Sequence, residues 1–348
     1  MLPEKPLENT AYYPSIAQLK QVEALMSTVK DTHLANKKTG IKPGFLARTD
    51  GFSFDQIDEM IETAGKHDPA LQSRMISVSD LTPNLYNRLS ENKNSIANWF
   101  EPLEDAIEKQ DFFKVPKTKI IRLPIELAQF IRLEYRETRI EDREAFNKFI
   151  FDAFELEDGK TYFIKTGNFS SKFQFANAKC SEPREMGEYF QVINNFAMEV
   201  GAGSTVDLTV REYIEDTEGN PTIYNGMPLR TEFRAFVDFD TKKVFGTVPY
   251  WDPTVMKNVL KNQAIASLNP NIMRDFETYL THEDKLNAEF NTHVSTINKQ
   301  LEMLIQNINL TGQYSIDVMK NGEDFYVIDM ALMAESALVN LLPDHIYN

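Results

Sequence analysis

The run from Leu208 to Phe239, LTVREYIEDTEGNPTIYNGMPLRTEFRAFVDF, constrains this chain more than any other stretch. It opens with a strand-like segment, Leu208 to Ile214, and passes through an acidic connection rich in Gly, Pro and Asn. It closes on Thr231 to Phe239, where Phe233, Ala235, Val237 and Phe239 share one face of a period-2 pattern. Glu232, Arg234, Phe236 and Asp238 share the other. Such a strand packs its apolar face downward. Its Glu/Arg face is either chemically active or a cross-strand ion pair on a solvated sheet.

The surrounding chain bounds the choices. Its 348 residues, 42% hydrophobic and 26% charged, suit two or three globular domains with ample material for a core. A formal net charge of −15 argues against nonspecific nucleic-acid binding, which needs clustered Lys and Arg. It suits a soluble protein or one with basic partners. Cys180 is the single cysteine, so no intrachain disulfide framework exists and a reducing compartment is expected. There is no basic-then-apolar leader, and no apolar run approaches the roughly 18 residues of a membrane span. The expectation is a cytoplasmic protein with no membrane role.

Residues 1–112 read as a mainly helical accessory region. Ile16, Leu19, Val22, Leu25, Met26 and Val29 fall at helical spacing, followed by punctuation at Pro43, Gly44 and Gly51. Ser53 is a cap candidate for a helix carrying Ile57, Met60 and Ile61. Ser95 to Ile107 reads as a further helix that Pro102 would break or kink. Lys117 to Leu123 then reads as a strand, Pro124 as a helix start, and Arg143 to Phe154 as a second helix. The strand Thr161 to Lys165 enters the loop Thr166 to Lys172, whose small residues could wrap backbone N–H groups around phosphate, or form a plain turn. Glu185 to Val200 is an apolar helix face. Val244 to Trp251 forms a hairpin with the central strand, and Asp275 to Leu310 is mostly helix. Its stripe of Leu286, Phe290, Val294, Ile297, Leu301, Leu304 and Ile308 suits packing on a sheet better than a dimer coil. Tyr314 to Lys320 and Phe325 to Met330 make a last hairpin near Asn321-Gly322.

These segments, in this order, resemble an ATP-grasp protein. VREYIE followed by EFRAFV is similar to the "LR-x-W" and "EFR-x-F" strands of the eukaryotic cell-division-cycle ATP-grasp family, which assists assembly of a translation initiation factor, and of its bacterial and phage relatives. Ile120 to Pro124 resembles that family's "ipLp" segment. Tyr162 to Phe173 resembles "KLNWSSPRDA", and Ser315 to Val318 with Val327 to Asp329 resembles "DVY…liDFNP". The resemblance covers residues 115–340 and implies an α+β fold: two ATP-grasp-like subdomains with antiparallel sheets gripping a nucleotide, behind the N-terminal helical region. The expected boundaries are 1–112, 113–207 and 208–348.

The resemblance also implies roles. Lys165, Lys172, Ser170 and Ser171 would face the phosphates of ATP, with Lys119 as a first-subdomain lysine. Glu212, Tyr213 and Ile214 would supply the adenine edge. Asp317 and Asp329 would hold Mg²⁺, and Arg211 and Arg234 would contact a γ-phosphate or acyl-phosphate. Two functions follow. One is an ATP-dependent ligase joining an unidentified carboxylate to an amine or similar nucleophile through an acyl-phosphate. The other is a weakly catalytic or non-catalytic module that uses ATP to hold a protein partner. The chain departs from the family where Asn is expected two residues after Asp329: it has Ala331, so Glu335 or Asn340 would have to substitute as a ligand. No proline follows Lys165.

The metal reading makes a demand on register. A strict two-residue turn at Asn321-Gly322 would set Asp317 opposite Tyr326 and Asp329 opposite Tyr314, roughly 10 Å apart and on opposite faces. A three-residue loop at Gly322-Glu323-Asp324, or a bulge, would instead set Asp317 against Asp329. The expectation is that the ideal turn is overridden, leaving both carboxylates in one cleft with Arg234 and Lys165.

Overall fold

Two five-stranded sheets organise the residues described by the computed structural model, which are 11–12, 52–133, 138–200, 202, 205–267 and 270–342. The expected helix over Ile16 to Val29 and the punctuation at Pro43, Gly44 and Gly51 lie outside the described residues. In chain order the strands are β1 (Ala11–Tyr12), β2 (Phe113–Lys114), β3 (Thr118–Arg122), β4 (Tyr162–Thr166), β5 (Lys179–Cys180), β6 (Asp207–Glu212), β7 (Thr222–Ile223), β8 (Met227–Pro228), β9 (Glu232–Asp238), β10 (Lys243–Pro249), β11 (Gln313–Asn321) and β12 (Asp324–Leu332).

The chain divides into two units with other limits than the expected ones. The first comprises Met1–Asn98, Thr118–Ser171 and Asn177–Tyr213; the second comprises Trp99–Lys117, Lys172–Ala176 and Ile214–Asn348. The helical region therefore does not stand apart as 1–112. Its described helices up to Ser90 belong to the first unit, while Phe100–Ile107 belongs to the second. The break after Tyr213 falls beyond the expected one at 207/208.

The first unit carries a sheet ordered β1-β3-β6-β4-β5, with β6 antiparallel to β3 and β4. Alternation along β6 sorts its residues. Leu208 and Val210 enter an apolar core with Ile121, Ile164, Phe146, Phe149, Phe190 and Ile193, each fully buried side chain of this kind contributing about 1.5–3 kcal/mol. The helix Phe54–His67 starts at Ser53 through a reciprocal capping box with Gln56. Its Ile57 and Ile61, with Leu85 and Leu89 of Pro83–Ser90, join that same core. Helices this short cannot bury such faces alone. Tyr86 completes the attachment, its hydroxyl donating to the Leu123 carbonyl at 2.8 Å.

On the opposite face of β6, Asp207 is fully buried. It accepts Arg122 Nε at 2.8 Å and Ser95 Oγ at 2.6 Å. Gly167 lies close by: a Cβ there would stand 2.3 Å from Ser95 Oγ and 2.7 Å from Thr205 Oγ1. Only glycine fits that approach.

In the second unit the sheet runs β10-β9-β11-β12-β2, with β9 antiparallel to both β10 and β11. Both faces of β9 are covered, so its Glu/Arg face is not a solvated one. Below, the helix Pro270–Leu304 lays Leu286, Ile297, Leu301 and Leu304 into the interior and stacks Phe290 on Phe233 with centroids 5.3 Å apart. This is the sheet packing that the stripe suggested. Above, Phe236 packs with Val248, Met333, Leu338 and Leu342 from the C-terminal turns. Pro102 does not break its helix, because it occupies the first turn of Phe100–Ile107, where a missing N–H costs no intrahelical bond.

The last hairpin turns one residue later than the ideal Asn321-Gly322 turn would set it, and the bulge option brings the two aspartates together. Asn321 pairs with Asp324 around Gly322-Glu323, and Gly322 takes the left-handed φ of +63°. Asn321 is claimed by the acidic connection: its Oδ1 accepts the Thr217 N–H at 3.2 Å and its Nδ2 donates to the Glu215 carbonyl at 3.0 Å. A register shift after Asp317 leaves Ile328 as the extra residue, and Asp317 then stands opposite Asp329.

Removing the Asp207 carboxylate leaves Arg122 and Ser95 without their shared acceptor. Asp207→Ala should lower the unfolding free energy by about 3 kcal/mol, and Ser95→Ala by about 1 kcal/mol. Urea unfolding measures both, and equal small losses would contradict a charge-centred network.

Candidate functional site

The register places one row of side chains across four strands of the second unit. Val248 of β10 pairs with Arg234 of β9, Arg234 with Asp317 of β11, and Asp317 with Asp329 of β12. Directly opposed residues point to the same face, so the row is contiguous by construction. Arg234 meets Asp317 as a fork, Nε to Oδ1 at 2.7 Å and Nη2 to Oδ2 at 2.7 Å. Its remaining terminal nitrogen donates to the Ala337 carbonyl at 3.2 Å. Burial works against the guanidinium charge, yet Asp317 holds its pKa above the ordinary value.

Two aromatic residues and a lysine close over this row. The Arg234 guanidinium lies 4.6 Å from the Tyr250 ring centroid, and the Lys172 ammonium lies 3.7 Å from the same centroid. Lys172 also touches the Tyr250 hydroxyl, and Trp251 lies 5.7 Å from the ammonium. Burial lowers the Lys172 pKa, against the opposing charges of Glu232, Asp317 and Asp329. Glu232, one step along β9 from Arg234 on the same face, is buried, and burial pushes its carboxyl up to about 7. Glu232 and Tyr250 went unselected in the sequence. The Glu of EFR was the available signal for the first, and an aromatic residue at a strand end was too common a signal for the second.

The metal donors are less complete. Among the described residues no group of three or more His, Cys, Asp and Glu side chains is gathered to hold an ion. Asp317 has both oxygens on Arg234. Glu335 is exposed on the turn Met333–Glu335, and Asn340 is exposed in Val339–Leu341. Ala331 pairs with Ser315, whose hydroxyl shares a 2.7 Å hydrogen bond with Ser336.

In the first unit, β4 and β6 bring Lys165 opposite Thr209, with Arg211 two residues along on the same face. Lys165 is 2% exposed and Thr209 0%. The Thr209 hydroxyl has no hydrogen-bond partner, nor does the buried hydroxyl of Ser171. The loop after β4 is largely spoken for: Thr166 N–H donates to the Phe169 carbonyl at 2.9 Å, and Phe169 N–H to Thr166 Oγ1 at 3.2 Å. Gly167 N–H donates to the Asp207 carbonyl and to Thr205 Oγ1, each at 2.9 Å. Those three amides face protein, so the expected wrap of the whole loop around phosphate narrows to its later part, where Ser170 is half-buried.

Lys119 is placed otherwise than expected. It is exposed and bonds Glu155 Oε2 at 2.6 Å and the Phe154 carbonyl at 2.9 Å. Tyr213 lies 4.0 Å beneath the Lys179 ammonium, and Glu212 ends β6. Ile214 opens the second unit, its carbonyl accepting Arg230 Nη2 at 2.6 Å. Lys165, Arg211, Ser170, Ser171, Glu212, Tyr213 and Lys119 thus belong to the first unit. Lys172, Ile214, Arg234, Asp317, Asp329 and Glu335 belong to the second.

No family model and no curated protein matches the chain, and no described helix is long and apolar enough to cross a membrane. Among solved structures, the chain is similar to C-terminally truncated Cdc123 from Schizosaccharomyces pombe, at 14% identity over 72% of this chain and 87% of that one, with a TM-score of 0.38. It is also similar to D-alanine–D-alanine ligase from Bacillus anthracis complexed with ATP, at 10% identity over 78% and 61%, TM-score 0.30. Phosphoribosylglycinamide synthetase from Anaerococcus prevotii gives 11% identity over 68% and 42%, TM-score 0.23. The chain itself is an α+β protein with a mainly antiparallel sheet in each of two units, β1 and β2 pairing parallel at their edges.

Proposed function

We propose that this chain is an ATP-binding protein of the ATP-grasp type. The reading is carried by the Arg234–Asp317–Asp329 row, a buried Asp317 between a half-buried Arg234 and a half-buried Asp329, with Lys172 held beside it over Tyr250. Structural packing alone has little use for such a set, because each buried charge carries a desolvation penalty. Lys165 and Arg211, buried beside an unpartnered Thr209 hydroxyl, support a polar ligand on the first unit as well. ATP, when bound, supplies a transferable phosphoryl group and a triphosphate anion.

Magnesium, which the fold family implies, would find two carboxylates here, Asp317 and Asp329, opposite each other in register. Mg²⁺ asks for near-ideal octahedral oxygen coordination, usually from one or two carboxylates plus phosphate and water. Here Asp317 is committed to a guanidinium on both oxygens, Ala331 offers no donor, and Glu335 sits exposed on a turn. This favours binding over turnover, so the chain uses nucleotide to hold a form competent for a protein partner. Carboxylate–amine ligation remains the second reading, favoured by one observation. Glu232, buried beside Lys172 with its pKa near 7, can accept or release a proton near neutrality.

Thermal unfolding with and without ATP tests the proposal. At 100 times its dissociation constant a ligand stabilises by about 2.7 kcal/mol, a shift of a few degrees for a chain of this size. Lys165→Ala should remove most of the shift. Arg234→Lys, which keeps the charge and loses the fork, should weaken ATP binding about tenfold or more. No shift in the wild-type protein would end the nucleotide reading. ADP release on offering carboxylates with amines would establish ligation over binding alone.

Glu232 makes a separate prediction. Its folded pKa of about 7 lies above the ordinary 4.5, so between those values the folded chain holds a proton that the unfolded chain has lost. Stability should therefore fall as pH rises from about 4.5 to about 7 and then level off. The ceiling is about 3 kcal/mol. Glu232→Gln should flatten that slope in urea unfolding series across the window. An unchanged slope would assign the pH dependence elsewhere.

A further inference from the structure

We infer that the Thr209 hydroxyl is a further ligand-binding group of the first unit, donating to a phosphate oxygen of the nucleotide beside Lys165. This rests on the nucleotide reading above and names a contact that reading leaves unassigned.

Three observations carry it. The first is an orphaned hydroxyl at a position that asks for none. Thr209 lies on β6, the central strand of its sheet, and is fully buried. Ile120 of β3 and Lys165 of β4 flank it in register, one an apolar side chain and the other a cation with no acceptor to offer. Its hydroxyl has no hydrogen-bond partner among the described residues. Valine has nearly the same shape and avoids the cost of burying an unsatisfied polar group. The second observation is the company that Thr209 keeps. Asp207, on the same face of β6, already receives Arg122 and Ser95. Lys165 and Arg211 add two cationic residues to that face, on either side of Thr209. A hydroxyl set between an arginine and a lysine suits an anion that accepts from all three. The third lies in the loop that leaves β4. Ser171 holds a left-handed φ of +51°, and its buried hydroxyl is also without a partner. Unsatisfied hydroxyls and backbone strain thus gather about the strand that carries Lys165.

Access follows from the neighbour across the ladder. Lys165 has a long flexible stem, so an anion that draws its ammonium also uncovers the hydroxyl directly opposite. A hydrogen bond made there is shielded from competing water and is stronger for it. Without ligand the chain carries the penalty of the orphaned group. The same hydroxyl therefore lowers the stability of the free protein and raises affinity in the complex, two effects of opposite sign at one atom.

The experiment compares Thr209→Val and Thr209→Ser with the wild-type full chain. It uses thermal unfolding without ligand, and calorimetric titration with ATP and with inorganic tripolyphosphate, magnesium chloride being present throughout. Thr209→Val should unfold at the wild-type temperature or up to a few degrees above it. The same variant should bind ATP and tripolyphosphate about tenfold more weakly. Thr209→Ser, which keeps the hydroxyl, should bind within about threefold of wild type. A Thr209→Val variant that unfolds at a lower temperature assigns the hydroxyl to the fold and overturns the inference. Unchanged ATP affinity in that variant overturns it too, and leaves the nucleotide reading standing. Tripolyphosphate that fails to bind, or binds wild type and Thr209→Val alike, overturns the assignment to a phosphate oxygen. Absence of ATP binding by the wild-type chain overturns both readings.

Discussion

The fork between Arg234 and Asp317 is the interaction on which the second unit is arranged. It needs two strands in one register, a third strand to bring Asp329 alongside, and a cover to exclude water. Each requirement is met by a distinct part of the chain: β9 against β11, the hairpin to β12, and the C-terminal turns with Phe236, Val248 and Leu342. Desolvating a guanidinium and a carboxylate together is costly, and good geometry with satisfied remaining donors is what offsets it. Arg234 has both, since its third nitrogen finds the Ala337 carbonyl. The same carbonyl contact ties the C-terminal turns to the sheet, so the charge pair and its lid are one arrangement.

Much of this was readable beforehand, for a physical reason. Strands with one buried face write a period-2 signal, and β3, β4, β6, β9, β10, β11 and β12 were each anticipated within a few residues of their observed limits. The long helix also announced its buried stripe, from Leu286 to Leu304, because a face that packs on a sheet must be apolar at 3–4 spacing. Ser53 announced its cap through Gln56 three residues on.

The remainder depended on contacts between distant parts of the chain, which no local pattern encodes. Asn321-Gly322 is a strong turn signal, yet Asn321 stays in its strand because residues 215–217, some hundred positions earlier, take its side chain. Lys119 looked like a functional cation until Glu155, far along the chain, proved to be its partner. The unit limits were unreadable for the same reason: residues 99–117 and 172–176 join the second unit although their neighbours in sequence join the first. Glu232 was hidden by its surroundings, since nothing in the letters EFR tells a buried carboxyl from a solvated one.

The bulge at Ile328 has a consequence for how such a chain can vary. A pleated ladder keeps count by parity: each residue gained or lost between the turn and Asp329 sends every later side chain of that strand to the other side of the sheet. Most side chains along β11 and β12 could be exchanged for others of similar size without disturbing the row. A deletion of one residue in the same stretch would turn Asp329 away from Asp317 while leaving the composition almost untouched. Homologous hairpins built this way can therefore drift far in letters, provided that insertions and deletions fall outside the interval from Asp317 to Asp329.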